Sequence, residues 1–126
     1  MAGGAGLVVA LHHVQVAMPA GQEEIAERFY SGVLGFERVE KPEALRARGG
    51  CWLRSGAAEC HLGVEADFRP ARKAHPAFLV DDLAAIRARL ERARVEVVPD
   101  DRVEGHERFY VHDPFGNRLE LIAPAG

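Results

Sequence analysis

This chain of 126 residues lacks what it would need to cross a membrane, to grip nucleic acid or to be held by disulfides. Its longest apolar stretch, Leu7 to Leu11, is far too short to span a bilayer. Positive charge is the scarcer kind: 16 Lys and Arg stand against 19 Asp and Glu, and no dense basic run occurs, so nucleic acid is not an expected partner. The two cysteines, Cys51 and Cys60, cannot build a disulfide framework, and reduced, buried thiols are expected. Met1-Ala2-Gly3-Gly4 offers no positive segment leading into an apolar one, so no export is signalled and a cytoplasmic location is expected. What is present is ordinary for a soluble globular protein, with 48% hydrophobic and 28% charged residues. A single domain over 1–126 is the expectation.

The order of elements repeats. Leu7 to Ala17 reads as a strand ended by Pro19-Ala20-Gly21. Gln22 to Leu34 follows as an amphipathic helix with Ile25, Phe29 and Val33 on one face, stopped by Gly35. Phe36 to Lys41 is a second strand, and Pro42 to Gly50 a loop or short helical turn. Cys51 to Arg54 and Glu59 to Val64 flank the hairpin signal Ser55-Gly56-Ala57-Ala58. After a linker at 65–74, His75 to Val80 is a strand, and Asp82 caps a helix carrying Leu83, Ile86 and Leu90. Val95 to Val98 comes next, then a loop through Asp100, Asp101 and Gly105. Arg108 to His112 and Asn117 to Ile122 enclose the turn Asp113-Pro114-Phe115-Gly116. Two βαβββ modules, 7–64 and 75–122, are therefore expected, related by a pseudo-twofold axis.

Side chains alternate along a strand, so parity decides which residues share a surface. His13 falls with Gln15 opposite the apolar Val14 and Val16, and His61 falls with Glu59 opposite Cys60 and Leu62. His75 lies opposite Phe78 and Val80, while Glu120 shares a side with Arg108, Tyr110 and Arg118. Four potential ligands thus occupy the polar faces of their strands, two in each half, at positions separated by close to half the chain. A curved sheet with helices outside would aim them into a central cup, and imidazole with carboxylate donors suits a divalent ion: Zn, Ni, Co, Mn or Fe. Any one of them alone would be read as a surface or hydrogen-bonded residue. His61 is either a direct ligand or one step removed. His12 is expected at the core or an edge beside Val14, His106 and His112 near loops, and Trp52 and Tyr30 in core or dimer packing.

With these residues in view, the chain resembles the vicinal oxygen chelate superfamily of glyoxalase I, bleomycin-resistance and fosfomycin-resistance proteins and extradiol dioxygenases. The matching strings are His13-Val14-Gln15-Val16, Phe29-Tyr30-x-x-Val33-Leu34-Gly35-Phe36, His75-Pro76-Ala77-Phe78 and Asp113-Pro114-Phe115-Gly116-Asn117-Arg118-Leu119-Glu120. The resemblance implies an α+β fold whose paired βαβββ modules form a curved mixed sheet around a cup-shaped pocket, usually in a homodimer. It implies metal ligation by His13, His75 and Glu120, with His61 on the strand of a fourth ligand, and substrate contact by Tyr110. Departures limit the match to any one subfamily. Ala17 stands where glyoxalase I has an arginine, only six residues follow Glu120, and the acid-base histidine of extradiol enzymes is replaced by the region of Asp101.

The expectation is then a metal-dependent, glyoxalase-like lyase or isomerase. Its substrate is a small molecule chelated through two neighbouring oxygens, and the ion stabilises an enediolate-type intermediate. Glu120 and Tyr110 are the candidate catalytic residues, with Glu59 a further route for a proton. If Arg69, Arg72 and Lys73 turn inward, the substrate is anionic. The rival reading is a metal-free drug-binding protein of the bleomycin-resistance type; extradiol-type or fosfomycin-type chemistry ranks behind both.

Overall fold

The computed structural model describes residues 6–100 and 105–125. The sequence reading of Asp101 and of the first four residues lies outside these. The first half comprises β1 (Val14–Met18), α1 (Glu23–Tyr30), β2 (Glu37–Val39), α2 (Glu43–Arg46), β3 (Cys51–Ser55) and β4 (Ala58–Val64). The second comprises β5 (Ala77–Leu79), α3 (Leu83–Arg92), β6 (Val98–Pro99), β7 (Arg108–His112) and β8 (Arg118–Ile122). Each half makes one four-stranded mixed sheet, in the orders β1-β4-β3-β2 and β5-β8-β7-β6. β1 runs parallel to β4 and β5 parallel to β8, the other pairings being antiparallel. The fold is the expected α+β pair of βαβββ modules.

The differences from the sequence reading have local causes. β1 begins at Val14, not Leu7, because Val14 stands opposite Cys60 and β4 itself begins at Ala58. Residues ahead of His12 therefore run past the end of their partner, and Leu7, Val8, Val9 and Leu11 are 88–97% exposed. His12, expected at the core or an edge, is exposed beside His13. The helix predicted to Leu34 keeps α-helical form only to Tyr30, then turns and stops at Gly35, whose φ of +85° is reached without cost only by glycine. Its buried face is Ala26, Phe29 and Tyr30, and Ile25 is turned outward. β5 is shorter than His75 to Val80, yet its ladder extends by one bond at each end: Glu120 N–H donates to Pro76 and Val80 N–H to Ile122. Proline lacks a donor but keeps its acceptor, so Pro76 is compatible with this edge. Asp82 caps α3 as expected, its carboxylate accepting from Ala85 N–H at 2.9 Å.

One apolar core, including Met18, Tyr30, Leu53, Leu62, Leu90, Val111, Leu119 and Leu121, runs through both halves. Phe36 packs edge-on against Phe78 across the junction, ring centres 5.4 Å apart. A buried polar clasp joins the halves at the Asp113 turn. Tyr30 from α1 donates its hydroxyl to Asp113 Oδ2 at 2.7 Å, and Asn117 donates from Nδ2 to the same oxygen at 2.9 Å and to the Ala17 carbonyl at 2.8 Å. Asp113 Oδ1 accepts the backbone N–H groups of Phe115 and Asn117, both at 2.9 Å. Burial, reinforced by the Asp113 charge, pushes the Tyr30 hydroxyl well above its ordinary range. The clasp thus bonds the end of α1 and the β1 backbone to one turn of the second half.

Candidate metal centre

The polar face of the first sheet is built by register. Gln15 pairs with His61, His61 with Trp52, and Glu59 with Arg54, so these side chains share one surface. His61, 4% exposed, lies between two rings: Trp52 at 4.0 Å and nearly parallel on one side, His13 at 4.1 Å on the other. Its Nε2 is 2.7 Å from Glu59 Oε2, and Arg54 approaches the other oxygen at 3.4 Å. The hydrogen bond with His61, helped by Arg54, holds the Glu59 carboxyl below its ordinary range. Trp52, expected in core or dimer packing, is instead the plate on which a candidate ligand rests. His13 and His12 bring their Nδ1 atoms within 3.0 Å.

The second sheet carries the other pair. Tyr110 stands opposite Glu120, and Arg108 and Arg118 lie on the same side. Glu120, 6% exposed, places Oε1 2.9 Å from His75 Nε2 and Oε2 3.1 Å from Arg108. The same guanidinium reaches Asp100 at 3.3 Å. The Glu120 hydrogen bond and the neighbouring negative charges raise the Arg108 pKa further above its ordinary value. His75 Nδ1 is 2.9 Å from the Lys73 carbonyl, which fixes the ring as outer partners fix ligating histidines. Two guanidinium groups flank the Tyr110 ring, Arg118 over its face at 3.9 Å and Arg108 at 5.6 Å, and His75 packs against it edge-on at 5.3 Å.

The predicted donors therefore gather as two pairs, His13 with His61 and His75 with Glu120. A cavity of about 510 Å3 is bordered by one member of each pair, with His13 and Glu59 from the first half and His75, Ala77 and Phe78 from the second. A second cavity of about 520 Å3 is lined by Gln15, Arg69, His75, Asn117 and Arg118 among others, so His75 belongs to both. Among the described residues, no group of three His, Cys, Asp or Glu side chains is close enough within one chain to hold an ion. Neither His106 nor His112 lines these cavities, and of the basic linker residues only Arg69 does; Arg72 and Lys73 are exposed. Two engagements needed the structure. Arg108 was visible on the face of Glu120 by parity, but its double engagement depends on Asp100, from a loop position that no periodicity places. Glu59 was assigned to the right face, and its bond to His61 needed the coordinates.

The profile of the Glyoxalase/Bleomycin resistance protein/Dioxygenase superfamily matches residues 10–121. The chain belongs to this superfamily. Among curated proteins it is similar to Glyoxylase I 4 of Arabidopsis thaliana, 28% identical over 125 residues that cover 90% of this chain and 70% of that protein. Among solved structures it is similar to a protein described as a glyoxalase family member from Bacillus anthracis, with TM-score 0.91 and 45% identity, covering 94% and 97% of the two chains. The fosfomycin resistance protein FosX of Listeria monocytogenes shares the fold at TM-score 0.72 and 15% identity, covering 94% of this chain and 95% of that one. Membership in the glyoxalase superfamily fits the two-module architecture, and no helix among the described residues is long and apolar enough to cross a membrane.

Proposed function

We propose that this glyoxalase-superfamily chain is a metal-dependent lyase or isomerase acting on a small molecule with two neighbouring oxygens. His75 carries the reading. A neutral imidazole donates from one nitrogen only, yet His75 turns both nitrogens toward acceptors, the Lys73 carbonyl and the Glu120 carboxylate. Satisfying both contacts therefore takes a further proton, on the ring or on the carboxyl, or a cation bound between the two groups. The donor set of imidazoles and carboxylate suits Zn, Ni, Co, Mn or Fe.

His75 and Glu120 would hold the ion, His13 would join them, and His61 or Glu59 would complete or orient the set. We further propose that the active species is a homodimer. β1 and β5 are edge strands, and the apolar arm Leu7 to Leu11 beside His13 lies almost wholly exposed. Pairing these edges between copies would cover the arm and bring donors of both modules together. When bound, a divalent ion supplies Lewis-acid charge to two adjacent substrate oxygens. Glu59, ionised at neutral pH and facing the cavity with His13 and His75, would take a proton from the carbon next to a carbonyl and return it to the neighbouring carbon. Glu120 would be a second carrier only on leaving the ion, since His75 engages its Oε1 and Arg108 its Oε2. Tyr110 forms the wall against which His75 is set and is the candidate for hydrogen bonding to substrate.

Elemental analysis of the reconstituted protein tests the reading. About one ion per chain is expected in the wild type, with loss in His75→Ala, Glu120→Ala and His13→Ala. Equally little metal in all four proteins would overturn it. The Glu120–Arg108 ion pair favours one rival, because it satisfies Glu120 without metal: a small-molecule binder of the bleomycin-resistance type. Methylglyoxal offered with a range of thiols separates the two, turnover being expected only of the enzyme.

A further inference from the structure

We infer that the cavity shared by His75 and Arg118 receives an acidic group on the substrate, with the Arg118 guanidinium as its partner. The inference rests on the proposed site at His75 and Glu120 and specifies the class of molecule that would occupy it. Three arginines project from the polar faces around that site, and two are engaged by carboxylates: Arg54 by Glu59, and Arg108 by both Asp100 and Glu120. Arg118 makes no ion pair among the described residues. Its Cζ sits over the Tyr110 ring, 3.9 Å from the centroid, and the side chain is half-buried in the wall of the 520 Å3 cavity that His75 also lines. A guanidinium held against a ring with no carboxylate on its N–H groups keeps those donors for a ligand, and they grip a carboxylate or phosphonate through two parallel hydrogen bonds. Arg69 lines the same cavity and adds positive potential; Glu65, exposed, is the one carboxylate in the lining.

The register also sets a length. Arg118 and Glu120 are two residues apart on β8, on one face, so their attachment points are separated by about 7 Å. A molecule held by its two oxygens beside His75 and Glu120 would reach Arg118 with an acid group three or four bonds further on. Short-chain acids with a chelating end fit this span. The sequence pointed instead to Arg69, Arg72 and Lys73, of which Arg69 lines this cavity while Arg72 and Lys73 lie exposed; Arg118 could be found from the strand parity together with the register of Tyr110.

Hydroxamates supply a chelating end of known geometry. Acetohydroxamate, which is neutral, and succinic acid monohydroxamate, which adds a carboxylate, are titrated into metal-reconstituted protein by calorimetry. On the order of tenfold tighter binding or more is expected for the acid-bearing probe, as for a charge-assisted pair. Arg118→Met should erase that preference, and Arg118→Lys should retain part of it. Metal content and acetohydroxamate affinity should hold in both. Equal affinity of the two probes for the wild type, or a preference that survives Arg118→Met, would overturn the inference while leaving the metal reading intact. Should the protein take up no metal, the metal reading fails by itself, and the subsite is decided on metal-free protein titrated with inorganic phosphate. Shifts of the His75 and Tyr110 amide resonances, lost in Arg118→Met, support the subsite; no shift overturns it.

Discussion

Replacing Asp113 with alanine should cost about 4 kcal/mol of folding stability, a large share of the 5–15 typical of a domain. The magnitude follows from which donors would be stranded. Asp113 accepts four hydrogen bonds, from Tyr30 Oη, the N–H groups of Phe115 and Asn117, and Asn117 Nδ2. Asn117 Nδ2 keeps the Ala17 carbonyl, and the half-buried Phe115 N–H can turn to water. Tyr30 Oη and Asn117 N–H are left buried with no replacement, at about 1–3 kcal/mol each. The loss of the charged acceptor's own bonds adds to this. Tyr30→Phe removes one bond and strands no polar group, because Asp113 Oδ2 keeps Asn117 Nδ2, so about 1 kcal/mol is expected. Urea unfolding followed by circular dichroism measures both, and calorimetry should show Tm falling by roughly 10–20 °C for Asp113→Ala. An Asp113→Ala protein within about 1 kcal/mol of the wild type, or a Tyr30→Phe protein less stable than Asp113→Ala, would refute this account of the junction.

The polar face of the first sheet makes a pH prediction. Because His61 depresses the Glu59 carboxyl, the stability it contributes is present above the ordinary carboxylate range and is lost only as pH falls through the lowered value. The Glu59 carboxyl resonance should titrate low in the wild type and near its ordinary position in His61→Phe; an unchanged midpoint contradicts the pairing. Burial pushes the Cys51 thiol up to about 11 and the Cys60 thiol up to about 12. Unfolded thiols ionise from roughly 8.5, so stability should decline as pH rises above that point, and both cysteines should resist a thiol reagent at pH 8 until the protein unfolds. Rapid modification of the native protein would contradict their placement. Substituting Leu7, Val9 and Leu11 together by serine should shift sedimentation from dimer to monomer with little change in circular dichroism. A wild type that sediments as a monomer removes the arm's proposed role.

Much of this was legible in the sequence wherever one residue type has one physical use. Asp82 at a helix start, Gly35 at a helix stop and the Asp113 to Gly116 turn were each readable alone, because caps and turns are local. Strand parity put His13, His61, His75 and Glu120 on the polar faces for the same reason. What failed depended on partners distant in sequence. Leu7 to Leu11 has every attribute of a strand except a neighbour, since β4 begins too late to pair with it. Ile25 fits an apolar stripe on α1, but Tyr30 is drawn inward by Asp113, 83 residues away, and the helix presents a different face. The grouping of the donors into pairs, and the sharing of Arg108 between Asp100 and Glu120, likewise follow from tertiary contact alone.

The chain has a single tryptophan, and it lies flat against His61 at 4.0 Å. An indole in van der Waals contact with an imidazole is sensitive to the charge on that ring, so its emission reports on one spot in the molecule. No label or engineered fluorophore is needed to watch an ion arrive or a ligand displace the stack. The wild-type protein carries its own optical gauge at the place where the chemistry is to be sought.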